Sequence, residues 1–209
     1  MFEARQSGYR SAMNEIPEGM IRQLSYYRDA ELRGAGLLLH MNSREDDASA
    51  RTNLTRHIAD ESRHAWLITK RIADLGAAPV AVEDGYQTRM ARAAGVPRTL
   101  LELYAVTLVA EERARARYAA HLESGAGDAG TIDLLRAISA DEVWHLQWVH
   151  RRLQAFVAEV GAAHVEATLG RYRAADAAVT ADLAALEREV LGFALAAAPS
   201  ALAGASPPV

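Results

Sequence analysis

Two stretches of this chain carry the same pattern of acids and histidines, displaced by 81 residues. The first is Glu31, followed by Asp60-Glu61-Ser62-Arg63-His64. The second is Glu112, followed by Asp141-Glu142-Val143-Trp144-His145. In both, a lone Glu precedes the Glu of an E-x-x-H by 30 residues. Residues i and i+3 of a helix share a face about one turn apart, so a Glu and a His at that spacing can reach one metal ion. Two lone Glu and two E-x-x-H pairs, spread over four helices, form a ligand set for two metal ions. The chemistry this implies is the activation of oxygen or peroxide. The adjacent Glu111 is the alternative third-helix ligand, but only Glu112 preserves the spacing of 30.

Charge supports a metal. Four carboxylates and two neutral imidazoles balance two divalent cations. Without cations, several carboxylates in an apolar interior would have to protonate, because burying unpaired charges together is very costly. Asp60 and Asp141 directly precede the E-x-x-H glutamates. Metal-bound His usually donates its second N–H to a carboxylate. The expectation is that Asp60 serves His145 and Asp141 serves His64 across the bundle, with Arg63 tying the network together. The bland alternative for both is a solvated helix charge.

Other residues near these positions have weaker claims. Gly34, Ala35 and Ala116 are small and leave room for a cavity beside the ligands. Arg115 is expected either to hold an anionic substrate there or to form an internal salt bridge. Tyr27 and Tyr118 could hydrogen-bond a ligand or carry a radical, with packing as the default. Trp144 and Trp148 read as core filling. His57, one turn before Glu61, reads as a support to the ligands or as a partly exposed histidine. His40 and His121 sit nine residues beyond Glu31 and Glu112, too far along the axis to be ligands.

The elements that must position these residues are helices. Apolar residues at helical spacing run from Pro17 to about Asn42, through Leu24, Tyr27, Gly34, Ala35 and Leu38. A second helix follows Glu45-Asp46-Asp47 and ends at Leu75, before Gly76 and Pro79. Residues 76–97 form a long connection, with a short helix predicted over Thr88–Ala94. The third helix starts near Pro97 and ends before Gly125. The fourth covers Thr131 to about Val160, and an Ala-rich fifth covers Ala162–Leu191. The domain reading is therefore a leader at 1–16, a four-helix bundle at 17–160, a further helix at 161–193 and a disordered tail at 194–209.

Composition narrows the function classes. The chain has 209 residues, half of them hydrophobic, and no cysteine. That excludes disulfides, iron–sulfur clusters, thiol catalysis and a built-in rubredoxin centre, so electrons must come from an external donor. A net charge of −4 gives no general pull toward nucleic acid or an anionic membrane. No secretory signal or membrane span is visible, so a cytoplasmic protein without membrane contact is expected.

These residues resemble the ferritin-like di-iron carboxylate superfamily from about Pro17 to Val160. The E…D-E-x-R-H pattern is similar to that of bacterial multicomponent monooxygenase hydroxylases. Here the second copy has Trp144 in place of the Arg, Ala116 stands where they have Thr, and the chain is much shorter. In length it is more similar to the tRNA-modifying hydroxylases and aldehyde-deformylating oxygenases. Rubrerythrins share the ligand pattern, but add a Glu where this chain has Arg115.

The resemblance implies an all-α, ferritin-like four-helix bundle. A long crossover joins helices two and three, and a C-terminal fifth helix follows. It implies ligation of two metal ions by Glu31, Glu61, His64, Glu112, Glu142 and His145. Iron at both positions is the first expectation, with iron–manganese and dimanganese as alternatives. The function expected is a non-haem di-iron oxidase or oxygenase acting with O₂ on a small organic molecule. The alternatives are a rubrerythrin-like peroxide reductase or ferroxidase, and a ferritin-like assembly scaffold. A homodimer is the oligomer expected of such bundles.

Overall fold

The computed structural model describes residues 18–191, with side chains over 18–184. The leader and tail expected at 1–16 and 194–209 lie outside the described residues. Six helices and no strand occur among the described residues: α1 (Glu18–Asn42), α2 (Ala48–Asp74), α3 (Tyr86–Ala94), α4 (Leu100–Ser124), α5 (Ala129–Val160) and α6 (Ala162–Leu191). The fold is all-α. Helices α1 and α2 pack as one antiparallel pair, α4 and α5 as another, and α2 meets α5 across the middle. The connection from α2 to α4 carries α3, and α6 packs over α3, α4, α5 and α1.

Local chemistry sets the helix starts. Asp47 caps α2 by accepting from the Ala50 N–H at 2.7 Å, and Asp128 caps α5 by accepting from the Thr131 N–H at 2.9 Å. α4 begins at Leu100 rather than at Pro97 because Thr99 and Glu102 form a reciprocal capping box. Gly125 ends α4 with φ of 65°, a left-handed conformation that glycine adopts without a Cβ penalty.

The buried faces explain where the site lies. On α1 the buried positions include Leu24, Tyr27, Glu31 and Leu38; on α2 they include Leu54, His57, Glu61, His64, Ile68 and Ile72. These follow the three- and four-residue steps of one helical stripe. The apolar members fall into two separate clusters. One contains Leu38, Leu54, Tyr104, Leu108, Trp148 and Val149. The other contains Leu24, Tyr27, Ile68, Tyr118, Leu135 and Ile138. Between them, each of the four bundle helices presents buried acids or histidines. A band of ionisable groups thus interrupts the core at mid-height.

A second buried charge ties one end of the bundle together. Glu45, in the α1–α2 connection, accepts from the Tyr104 hydroxyl at 2.6 Å and from two nitrogens of Arg152, each at 3.2 Å. Burial alone would raise the Glu45 pKa, but the Arg152 and Tyr104 hydrogen bonds hold it below its usual value. Arg152→Met keeps an aliphatic stem but loses the guanidinium that lies over Phe156 and leaves buried Glu45 without its cation. Urea denaturation should show a loss of about 3–5 kcal/mol. A loss under about 1 kcal/mol, the range of exposed ion pairs, would mean that water replaces the arginine at little cost.

Candidate metal centre

α1, α2, α4 and α5 each send carboxylate or imidazole groups into the band between the two apolar clusters. Two overlapping groups result, and within each the ligand atoms lie within 4.8 Å of one another. One comprises Glu31, Glu61, His64 and Glu142; the other comprises His57, Glu61, Glu111 and His145. All are buried. Glu61 belongs to both groups. Glu142 also reaches both sides, with Oε1 3.6 Å from His64 Nδ1 and Oε2 3.2 Å from His145 Nδ1. His64 Nδ1 lies 3.2 Å from Glu31 Oε2.

The outer nitrogens of the same histidines face aspartates. His64 Nε2 is 3.2 Å from Asp141 Oδ2, and His145 Nε2 is 3.4 Å from Asp60 Oδ2. Each contact crosses from one helix pair to the other. Arg63 donates to both aspartates, at 3.1 Å to Asp60 and 2.8 Å to Asp141. An ionised carboxylate only accepts, so each Nε2 carries the proton and each Nδ1 faces inward. With Nδ1 deprotonated, each ring would turn a lone pair inward, which is what a cation requires.

The electrostatics describe a cluster in need of cations. Burial, then Glu31, Glu111 and Glu142, push the Glu61 carboxyl well above its usual pKa. Burial and then Glu111 do the same for Glu142. Burial raises Glu111 to about 7. For His64, burial works the other way, but Glu31, Glu142 and Asp141 together raise it to about 9. A cation inside the cluster would replace these retained protons. Orphaned atoms at the same place support this: His57 Nε2 and Glu61 Oε1 are buried without an aligned hydrogen bond, although 3.3 Å apart. The donor set therefore fits metal ions.

The third-helix residue differs from the sequence expectation. Glu111, not Glu112, points into the cluster. Glu112 lies on the flank toward α6 and pairs there with Arg173 at 2.9 Å. One residue on a helix is a rotation of about 100°. Glu111 shares its face with Tyr104, Leu108 and Tyr118, which are buried. The 30-residue spacing of the first half becomes 31 in the second.

The remaining candidates separate clearly. A Cβ on Gly34 would stand 2.7 Å from Glu61 Oε2, so the missing side chain makes room for that carboxylate. Ala35 and Ala116 are half-buried. Arg115 is exposed, which corrects its expected place beside a substrate. The Tyr118 hydroxyl bonds Glu31 Oε1. Tyr27 instead meets His121 Nδ1 at 3.1 Å, and His121 Nε2 lies 3.0 Å from the Ala126 carbonyl, away from the cluster. His57 is fully buried, against the expectation of partial exposure, because Trp148 and Trp144 cover it from α5. Its spacing to Glu61 was visible in sequence, but that cover was not.

The model of the ferritin-like domain matches residues 43–157, over half of the chain, and the chain belongs to the ferritin-like family. Among solved structures it is similar to a protein from Synechococcus described as Protein 19 with aldehyde deformylating oxidase activity. The two share 21% identity with a TM-score of 0.68, over 86% of this chain and 82% of the other. A search of curated protein sequences finds no match. No helix among the described residues is long and apolar enough to cross a membrane.

Proposed function

We propose that this protein is a non-haem di-iron oxidase or oxygenase that uses O₂ to oxidise a small organic molecule. The observation carrying this reading is the pair of buried ligand groups sharing Glu61. Glu31, Glu61, His64, Glu111, Glu142 and His145 would hold the two metals. The metals supply O₂ binding and its reduction, with iron at both positions as the first choice.

The chain's own groups shape that site. Asp60 and Asp141 hold the histidine Nε2 protons outward, so each Nδ1 stays available. Arg63 balances the two aspartates and keeps them in place. Tyr118 donates to Glu31 and fixes one terminal carboxylate. The apolar clusters on either side exclude water, which strengthens every charge interaction within. Reducing electrons come from an external donor, since the chain has no cysteine to hold a redox centre of its own. The Synechococcus protein's activity makes an aldehyde the first substrate to try.

The test combines metal content with turnover. Purified protein loaded anaerobically with Fe(II) should hold about two irons per chain. An O₂ pulse should then give a coloured transient whose decay quickens with an organic substrate, and ¹⁸O₂ label should enter a product. Rapid Fe(II) oxidation indifferent to every organic compound would favour a ferroxidase instead. Failure to take up iron or manganese would leave an assembly scaffold.

A further inference from the structure

The two halves of the centre are not equivalent, and the difference is His57. Each E-x-x-H glutamate has a buried residue four positions earlier: Ile138 before Glu142, and His57 before Glu61. Ile138 packs into an apolar cluster with Leu135 and Tyr118. At the matching place the other half buries an imidazole with no exposure at all. An apolar side chain there would fill space without the penalty of a buried polar atom.

The ring is held with Nε2 toward the cluster. Its plane lies against His145, with centroids 3.7 Å apart and 30° between planes. Nε2 stands 3.1 Å from Glu111 Oε1 and 3.3 Å from Glu61 Oε1. Neither oxygen lies along the N–H direction closely enough to form a hydrogen bond, and Nε2 is left without one. Two atoms bound at about 2.1 Å to one ion, near a right angle, stand roughly 3 Å apart. The contacts thus have the spacing of ligands around a shared ion rather than the alignment of hydrogen bonds.

We propose that His57 is a third imidazole ligand, binding through Nε2 the metal that Glu61, Glu111 and His145 hold. This rests on the di-metal reading above and adds to it. The two positions then differ: one metal meets Glu31, Glu61, Glu142 and a single imidazole, while the other meets two imidazoles. Imidazole is a softer and neutral donor than carboxylate, so the two positions differ in charge and in the metals they favour.

Trp148 makes the proposal more specific. Its indole Nε1–H donates to His57 Nδ1 at 3.3 Å. An indole nitrogen only donates, so in this arrangement the ring proton sits on Nε2. Metal binding at Nε2 requires the other tautomer. One proton leaves Nε2 for solvent, one arrives at Nδ1, the ring stays neutral, and the Trp148 hydrogen bond is given up. Trp148 therefore competes with the metal for the form of His57.

The test is a count of metal-bound imidazoles in the Co(II)-loaded protein. Proton NMR should show three strongly shifted, solvent-exchangeable N–H resonances, from His64, His145 and His57. In His57→Gln one of the three should vanish, and titration with Co(II) should show one of two sites weakened at least tenfold, the lower end of what losing even a supporting partner costs. Trp148→Phe, which removes the competing donor, should tighten the same site. Two resonances in wild type with two cobalt ions bound would overturn the proposal and leave the di-metal reading intact. Weaker binding in Trp148→Phe would overturn the tautomer exchange. No cobalt bound to wild type would overturn both readings together.

Discussion

Glu61→Ala should lose both metals, Glu111→Ala one of them, and Glu112→Ala neither. Elemental analysis of protein purified and reloaded side by side should give near none, about one and about two metals per chain, respectively. The ordering follows from position. Glu61 is the carboxylate that the two ligand groups share. Its removal takes a donor from both groups at once. Glu111 belongs to one group only, so the position held by Glu31, His64 and Glu142 keeps its donors. Glu112 bonds Arg173 on α6 and, among the described residues, belongs to neither ligand group. Its loss removes a half-exposed ion pair and should change stability by about 1 kcal/mol or less. If Glu112→Ala loses metal while Glu111→Ala retains both, the helix is turned by one residue from this arrangement and the site must be rebuilt on the other glutamate.

That pair of neighbours marks the boundary of what the sequence could convey. The E-x-x-H pairs are local: three residues on a helix share a face whatever surrounds them, so Glu61 with His64 and Glu142 with His145 can be paired from spacing alone. Glu31 follows from the apolar stripe of α1, on which Leu24, Tyr27 and Leu38 flank it. The choice between Glu111 and Glu112 is not local. Apolar residues lie on both sides of α4, because one face meets the bundle and another meets α6. Periodicity is then blurred, and a strict internal repeat picks Glu112, which the structure turns toward α6. What separates them is tertiary: Glu111 lies on the face of buried Tyr104, Leu108 and Tyr118, while Glu112 meets Arg173, 61 residues away on α6. His57 is a similar case. Its place one turn before Glu61 is written in the sequence, but its complete burial depends on two tryptophans of another helix. The crossover and the helix order were legible because glycines, prolines and caps punctuate them locally. Contacts between helices far apart in sequence carry no such signal.

The metal-free protein should lose stability as pH rises from 6.5 to 9, and metal should reverse the trend. His64 is raised to about 9 in the folded chain, with burial opposing and Glu31, Glu142 and Asp141 prevailing. Its contribution is full below the ordinary histidine pKa of about 6.5 and is lost as pH climbs through the folded value. Glu61 and Glu142 are raised well above their usual range by burial and by one another's neighbours, and Glu111 is raised to about 7 by burial. A folded chain that holds these protons binds more of them than the unfolded chain does, so stability falls with rising pH. Opposing groups drop out of this window. Glu45 and Asp141, held low by Arg152 and Arg63 despite burial, give their full contribution already above about pH 5. His57, lowered to about 3 by burial, acts in the other direction but only below about 6.5. Each pKa unit is worth about 1.4 kcal/mol, so a decline on the order of 3 kcal/mol is expected across the range. Metal ions take the place of the protons, and ligands that must deprotonate bind metal more tightly at higher pH. At a thousandfold excess over Kd, each bound metal should add about 4 kcal/mol, and at fixed metal concentration the gain should grow toward pH 9. Urea midpoints of chelator-treated and reloaded protein at three pH values would measure both slopes. A metal-free protein equally stable from 6.5 to 9 would mean that Glu61, Glu111 and Glu142 give up their protons there at no cost, and the physical case for a cation-requiring cluster would fall with it.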